Sequence, residues 1–488
     1  MTTFVGNTSD LVELWKMTLE HNPKKLEHHP ALDLIKSKPE SCIPIRVWGD
    51  DAPLGKRGRG IRAVSWSSAS VVGESIRCKM PIFAIDNRHK NASTDDMLME
   101  IAAWSFNVLL SGCHPATNHA GRPWAELPDT RQNRQRAANA GKPLVPQDYT
   151  AVWYELGGDW DYLSEEMRAE QDMHHTFVCL FCRASKLAGP LNYSNAAVEA
   201  ECFQPLNRRT HQEYMDGQVV LTHGRSPLPP LCNIMGFTIF SLCHDFVHDD
   251  LLGVRASLLG SALYELCKRG VFGSPGITSW RPCLNAQLVE AYNQFCDWKR
   301  HNAMECSQQR WHAGTLSLEN QSSWPCLKTK AHNCGIVSLW LYQAARLAAD
   351  PLCDQPHSKL LVNTLAAFAQ IWCIGKAAPP WFSPEEAADL ERARLAALQG
   401  YNVLSQSCKD RGIYHYEIRP KLHKLDELLR LAVSSRRNFM AQWTMSDEDW
   451  IGRMTRLAMS THARTMSQRV VARWIVHITN EFHVETTS

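Results

Sequence analysis

Between residues 43 and 86 the chain passes through three stretches rich in β-branched and aromatic residues: IPIRVW (43–48), IRAVSWSSASVV (61–72) and CKMPIFAID (78–86). The connectors between them are short and carry glycine and charge, as in GKRGRG at 55–60, so they read as hairpin loops. A helical pattern follows in MLMEIAAWSFNVLLSG, with Ser93, Thr94, Asp95 and Asp96 offering caps at its start and Gly112 ending it. After a polar excursion at 113–148, rich in Arg, Asn, Gly and Pro and read as a loop without a core of its own, strand character returns in YTAVWYELGGDWDYL at 149–163. Three strands, a helix and a fourth strand leave few topologies. The first three pair as antiparallel neighbours, and the helix crosses over so that the fourth lies parallel beside the first.

That order is the start of a ribonuclease-H-like α/β fold, with a mixed sheet in which strands 1–3 are antiparallel and strand 4 is parallel to strand 1. Two of the strands end alike, in VWGD and in ELGGD. The topology sets Asp50 and Asp159 at the same end of neighbouring strands, roughly 5 Å apart across the ladder. Acids converging in this way suit Mg²⁺ or Mn²⁺, hard cations that prefer oxygen ligands. A third acid has to come from a later helix, and Glu448, in the first turn of SDEDWIGRMTRLAMSTHA, is placed for it. Ordinary chemistry also accounts for each acid singly: Asp is common in turns, and acids in a first helical turn favour the macrodipole.

The rest of the chain sorts into segments. Residues 1–42 read as a short helical segment (SDLVELWKMTLEH, then HPALDLIKS), and 43–189 as the first part of the core. Residues 190–412 form a helical insertion with 3.6-residue periodicity in several long stretches, including a helix capped by Ser383. Residues 413–488 complete the core with a short extended stretch, IYHYEIRPKLH, a helix near 424–438 and a closing helix pair, Ser446 and Asp449 forming a capping box.

Composition excludes several classes. The net charge of +2 rules out a globally basic coat, so any DNA contact comes from local patches. No basic n-region followed by an apolar h-region opens the chain, and no uninterrupted apolar run reaches about 18 residues, the length of a membrane span. Seventeen cysteines without a small-scaffold spacing suit reduced thiols inside the cell, and a nuclear location is expected. Neither a P-loop nor a dinucleotide glycine fingerprint is present.

Two further features carry chemistry. Cys179-Leu-Phe-Cys182 fits half of a zinc site, a redox pair or two packed thiols. Zinc needs two more ligands, and His244 and His248, at i and i+4 in CHDFVH, face one side of a helix and serve as candidates. Basic clusters able to meet phosphates occur in GKRGRGIR, RQNRQRAANAGK, RPKLHK and THARTMSQRVVAR; Lys56, Arg57, Arg59, Lys421, Arg464 and Arg469 are the candidate contacts.

Taken in order, VWGDDAPLGK with IRAVSWSS, ELGGDWDYL, CLFCRASK, DFVHDDLLGV, KTKAHNCGIVSLWL, RPKLHKLDEL and SDEDWIGRMTRLAMSTHARTMSQRVVARW resemble the CACTA and Plavaka type of transposase-related proteins, in a divergent form found in multiple copies in unicellular eukaryotes. The resemblance spans about residues 43–475. It implies that Asp50, Asp159 and Glu448 are the first, second and third acids of a two-metal-ion centre that cuts and joins DNA. It also implies that the CxxC, with Asp245 and His248, belongs to a structural or zinc-binding element. Related proteins often carry a second histidine four residues after the one in PKLH; Glu427 stands there in this chain, which counts against His423 as half of a histidine pair. The expected partner is DNA, with assembly as a homodimer or larger oligomer and no membrane contact. The competing expectation is a relative that no longer cuts and acts as a DNA- or protein-binding scaffold.

Overall fold

The computed structural model describes residues 2–55, 59–71, 73–91, 93–145, 149–169, 175–216, 228–349, 356–441 and 444–487. Its contacts divide the chain into two units. The first comprises Met1–Gln171, Arg209–Cys243 and Thr444–Ser488; the second comprises Asp172–Arg208 and His244–Trp443. The chain therefore crosses between units more often than the sequence-based segments anticipate, and Cys179 and Cys182 group with the helical unit rather than with the sheet.

The first unit is built on a four-stranded sheet: β1 (Cys42–Pro53), β2 (Gly60–Ser68), β3 (Met80–Asp86) and β4 (Thr150–Gly157), in the order β3-β2-β1-β4. β1 is antiparallel to β2 and parallel to β4, and β2 is antiparallel to β3, as the element order predicts. At the outer edge of β4, Leu242 adds a single parallel bridge to Leu156, and the Cys243 N–H donates to the Leu156 carbonyl at 2.9 Å.

Side chains alternate across β1. Trp48 joins Ile61, Ala63 and Ala84 in a core with Trp450, Ile451 and Met454 of the Met445–Met459 helix and Val470 and Trp474 of the Met466–Thr487 helix. Trp48 and Trp450 meet edge to face with centroids 6.1 Å apart. The Thr94–Ser111 helix packs on β4, Phe106 against Trp153 at 5.8 Å, and ends at Gly112 in the left-handed region (φ 67°) as its sequence requires. The Thr8–His21 helix, held by an Asn7–Asp10 capping box, buries Trp15, whose Nε1 donates to the Cys42 carbonyl at 2.8 Å.

Five buried charges run through this unit in alternation. Lys25 meets Glu155 at 3.0 Å, Glu155 meets Arg46 at 3.7 Å, Arg46 meets Asp447 at 3.3 Å, and Asp447 meets Lys79 at 2.6 Å. Buried pairs of this kind stabilise little over an apolar equivalent, but removing one member strands its neighbour. They therefore bind the N-terminal segment, β1, β4, Lys79 beside β3 and the Met445–Met459 helix to one register.

The second unit is helical, with long elements at Arg255–Lys268, Trp280–His301, Ala331–Ala348, Pro356–Ala377, Pro384–Asp410 and Lys421–Ser435. A π-helical stretch, Val247–Val254, leads into the first of these. The Pro384–Asp410 helix starts with the expected capping box, Ser383 with Glu386. Pro356–Ala377 is long and apolar enough to cross a bilayer, and half of its most apolar window is buried within the protein, as in a core helix.

Several boundaries differ from expectation. Asp50 and Asp51 do not lie beyond a strand tip: β1 continues to Pro53 because its antiparallel ladder with β2 outlasts its parallel ladder with β4. Residues Trp160–Glu166 are helical rather than extended, since Asp159 caps them. The 113–145 excursion contains a helix at Arg131–Asn139 and buries Trp124. The described residues of 190–246 hold only short turns of helix, four of them 3-10 and one α at His211–Met215, and IYHYEIRPKLH forms no strand. Thr444, not Ser446, is the N-cap of the Met445–Met459 helix, and no side-chain capping bond forms there.

Candidate metal centre and carboxylate ends

In the second unit Cys179 and Cys182 sit on a tight loop between two short β-bridges, Phe177 with Ser185 and Cys182 with Arg208. The loop folds each chain end back on its own thiol: Phe181 N–H donates to Cys179 Sγ at 3.3 Å and Ala184 N–H to Cys182 Sγ at 3.4 Å. Amide donors aimed at sulfur favour the thiolate, the form that binds metals. Facing them, the Lys421–Ser435 helix presents His423 and Glu427, one turn apart on one face. His423 Nε2 lies 3.3 Å from Cys182 Sγ, and its ring stacks on Phe203 at 5.2 Å.

Among the described residues, Cys179, Cys182, His423 and Glu427 form the only group of three or more such side chains whose ligand atoms all lie within 4.8 Å of one another. All four are buried. Two sulfurs, an imidazole nitrogen and a carboxylate oxygen fit a tetrahedral ion of borderline softness. Burial pushes the Cys179 thiol well above its usual range, and a coordinated ion would reverse that preference. Burial also works to raise Glu427, but the Arg208 guanidinium outweighs it and holds the carboxyl below its ordinary value.

The expected set joined Cys179 and Cys182 to His244 and His248, whereas the compact group joins them to His423 and Glu427. His248 Nδ1 is engaged by Asp245 Oδ2 at 2.5 Å, and His244 Nδ1 lies 3.6 Å from Asp249 Oδ2. His244 also packs its ring on Phe181 at 5.2 Å, and burial pushes its pKa down to about 3, so it stays neutral beside the four-residue group, of which it is not a member. Glu427, read from the sequence as a departure that weakens a paired site, is the residue that completes the pair with His423. The i, i+4 spacing was legible; the approach of that helix to a CxxC more than two hundred residues away was not.

In the first unit the two Gly-Asp corners are placed as the topology requires. The β1–β4 ladder ends at Trp48 opposite Gly157, so Asp50 and Asp159 each lie two residues past the last pair, at the same end. The preceding glycines have a specific cause. A Cβ on Gly49 would stand 2.3 Å from the Tyr162 ring, and one on Gly158 would stand 2.5 Å from the same ring. Tyr162, fixed by the helix that Asp159 caps, therefore lies across both strand ends and admits only hydrogen beneath it.

Each acid also has a local bond. Asp50 Oδ1 accepts from the Asp51 N–H at 2.7 Å, and Asp159 Oδ1 accepts from the Tyr162 N–H at 2.7 Å. Asp50 shares its face of β1 with Trp48, the face covered by the helix that carries Glu448. Asp51 points to the other face, 3.8 Å from Arg62, and Asp447 is enclosed by Lys79 and Arg46. In both adjacent pairs the neighbouring acid is thus committed to a buried cation. The carboxylates of Asp50, Asp159 and Glu448 do not gather within 4.8 Å of one another, so a common ion is not pre-formed as it is at the cysteines.

Arg62 escaped the sequence reading. It is completely buried and faces Asp95 at 2.8 Å, Glu165 at 3.2 Å and Glu166 at 3.1 Å besides Asp51. The candidate phosphate contacts are dispersed. Arg464 and Arg469 are exposed in the first unit, Arg59 is partly held by Asp86 at 3.1 Å, and Lys421 belongs to the second unit. Lys56 and Arg57 lie outside the described residues. No protein-family model matches the chain, and no curated protein matches it in sequence.

Proposed function

We propose that the chain is a transposase-related, DNA-binding protein with a ribonuclease-H-like core and a structural zinc centre at Cys179, Cys182, His423 and Glu427. One observation carries the proposal: β1 and β4 are parallel neighbours, and Asp50 and Asp159 both lie two residues past the same end of their ladder, behind paired glycines. The antiparallel β1–β2–β3 meander, the crossover helix and the Leu242 bridge outside β4 support the same fold. The motif order that resembles CACTA and Plavaka transposases supplies the class. The zinc, when bound, would clamp the CxxC loop to the Lys421–Ser435 helix; the thiolates, the imidazole and the carboxylate would hold it.

DNA cutting is the second reading, favoured by the Asp50–Asp159 register and opposed by the three acids not gathering within 4.8 Å of one another. Mg²⁺ or Mn²⁺ at the two acids would supply Lewis acidity and an activated oxygen nucleophile. Asp50 and Asp159 would present their carboxylates at the sheet end, each steadied by one backbone N–H. Arg464 and Arg469, exposed beside the same unit's closing helix, would meet phosphates.

Fluorescence anisotropy on labelled duplex DNA tests the first reading. Binding should weaken steeply with salt, and replacing Arg464 and Arg469 together by Gln should reduce the log–log salt slope by about 2. No binding at low salt would sink the DNA assignment. Mn²⁺-dependent nicking of supercoiled DNA tests the second: cleavage by wild type that disappears in Asp159→Asn establishes cutting, while equal cleavage by both rejects it.

A further inference from the structure

We infer that Arg208 is the counter-charge that lets a carboxylate stand as the fourth ligand at the Cys179–Cys182–His423–Glu427 centre; this rests on the metal reading above. A zinc ion with two thiolates and two neutral imidazoles is electrically neutral. Replacing one imidazole by a carboxylate leaves the buried shell with one excess negative charge, which the protein interior penalises unless a cation stands beside it.

Arg208 is that cation. Its Nη1 donates to Glu427 Oε2 at 2.7 Å and its Nη2 donates to Glu427 Oε1, the two-pronged geometry that a guanidinium offers a carboxylate. The fork does not exhaust the ligand, because each carboxylate oxygen has two acceptor directions and one remains for the ion. The arginine is fixed from the metal side: its backbone bridges to Cys182, so thiol and counter-charge are carried on paired segments. The other acids nearby are already matched. Asp426 is held by Arg394 and by Arg430 at 3.0 Å, and Glu391 is held by Arg394 at 2.7 Å. A cavity of about 360 Å³, lined by Phe203, Arg208, Glu427 and Arg430 among others, lies beside the pair and leaves the Arg208 side chain 28% exposed. Its hydration lowers the cost of keeping a charge there.

The inference predicts a coupling that a merely packed arginine would lack. Zinc affinity of the full-length chain is measured by competition with a chromophoric chelator, and Co²⁺ absorption reports the ligand set. Arg208→Gln should weaken zinc roughly 10- to 100-fold, the range for loss of a residue that supports a ligand. In a Glu427→His background, where the shell is neutral, the same Arg208→Gln change should cause no loss. An equal loss in both backgrounds overturns the inference. Should Arg208→Gln fail to fold, Arg208→Lys keeps the charge and should hold zinc within a few-fold of wild type; a drop beyond about tenfold is then the overturning result. Failure of the metal reading looks different: wild type would bind no zinc, or Cys179→Ser would leave zinc content unchanged.

Discussion

The acid end of β1 and β4 and the cysteine centre of the helical unit are both assembled from residues far apart in sequence, yet they are organised differently. At the cysteine centre four donor atoms already lie within 4.8 Å of one another, because a tight loop supplies two and one helical turn supplies the other two. At the sheet end the acids come from β1, from the cap of the Trp160–Glu166 helix and from the Met445–Met459 helix, and Asp50 and Asp159 are each steadied by a separate backbone N–H. Soft donors on two rigid pieces make a pre-formed site. Around the hard donors on three pieces, charge is controlled by neighbours: Arg62 faces Asp51, and Arg46 and Lys79 enclose Asp447.

The largest expected effect tests that control. Arg62→Met takes the buried cation from Glu166 and leaves Asp95 and Glu165 to Lys90 alone, and should cost about 3–5 kcal/mol in urea unfolding. A loss below about 1 kcal/mol, the scale of an exposed pair, would mean that the arginine does not organise the sheet end.

Titration sharpens the same contrast. Burial raises the Glu166 pKa from 4.5 to about 7, with Asp95 and Glu165 adding to it and Arg62 opposing. Between those values the folded state holds a proton that the unfolded state has shed, so this group's contribution to stability is lost as pH rises from 4.5 to about 7. The loss amounts to up to about 3 kcal/mol, and Glu166→Gln should flatten it in unfolding measured across that window. His244, beside the cysteine centre, has the opposite sign. Its pKa falls from 6.5 to about 3, so its contribution is lost as pH drops through that interval. A wild-type pH profile that Glu166→Gln leaves unchanged would remove Glu166 from the picture.

A smaller effect probes the strand ends. Gly158→Ala sets a methyl 2.5 Å from the Tyr162 ring and 3.1 Å from the Gly49 carbonyl, so ring or backbone has to move. We expect about 1–3 kcal/mol of destabilisation, the usual range for overpacking a filled site. If the variant is as stable as wild type by thermal unfolding, the glycines are not there to admit the tyrosine.

Much of the first unit was legible because its information is local. IPIRVW, IRAVSW and MPIFAI alternate or stay apolar as strands do, and the connection rules leave little freedom in ordering four strands around one crossover helix. The two Gly-Asp corners were legible for the same reason. Their cause was not, because it lies in where Tyr162 points once Asp159 has capped the following helix. Ser446 was misread as a cap since Ser, Thr, Asp and Asn are interchangeable in that role, and Thr444 stood two residues earlier. The four-donor group was half legible. CxxC announces itself, whereas CHDFVH and HKLDE are equally plausible completions until packing brings one of them to the sulfurs.

By itself, then, the sequence determined the sheet order, the placement of Asp50 and Asp159 past one end of the β1–β4 ladder, and the presence of a two-cysteine loop, because each depends on residues within one element or its immediate connection. Only the tertiary structure decided that His423 and Glu427 face those cysteines, that Arg208 stands behind Glu427, and that Arg62 sits at the centre of four acids. The physical reason is common to all three. A buried charge or ligand is selected by the partners that enclose it, and in this chain those partners come from elements that meet only when the polypeptide has folded.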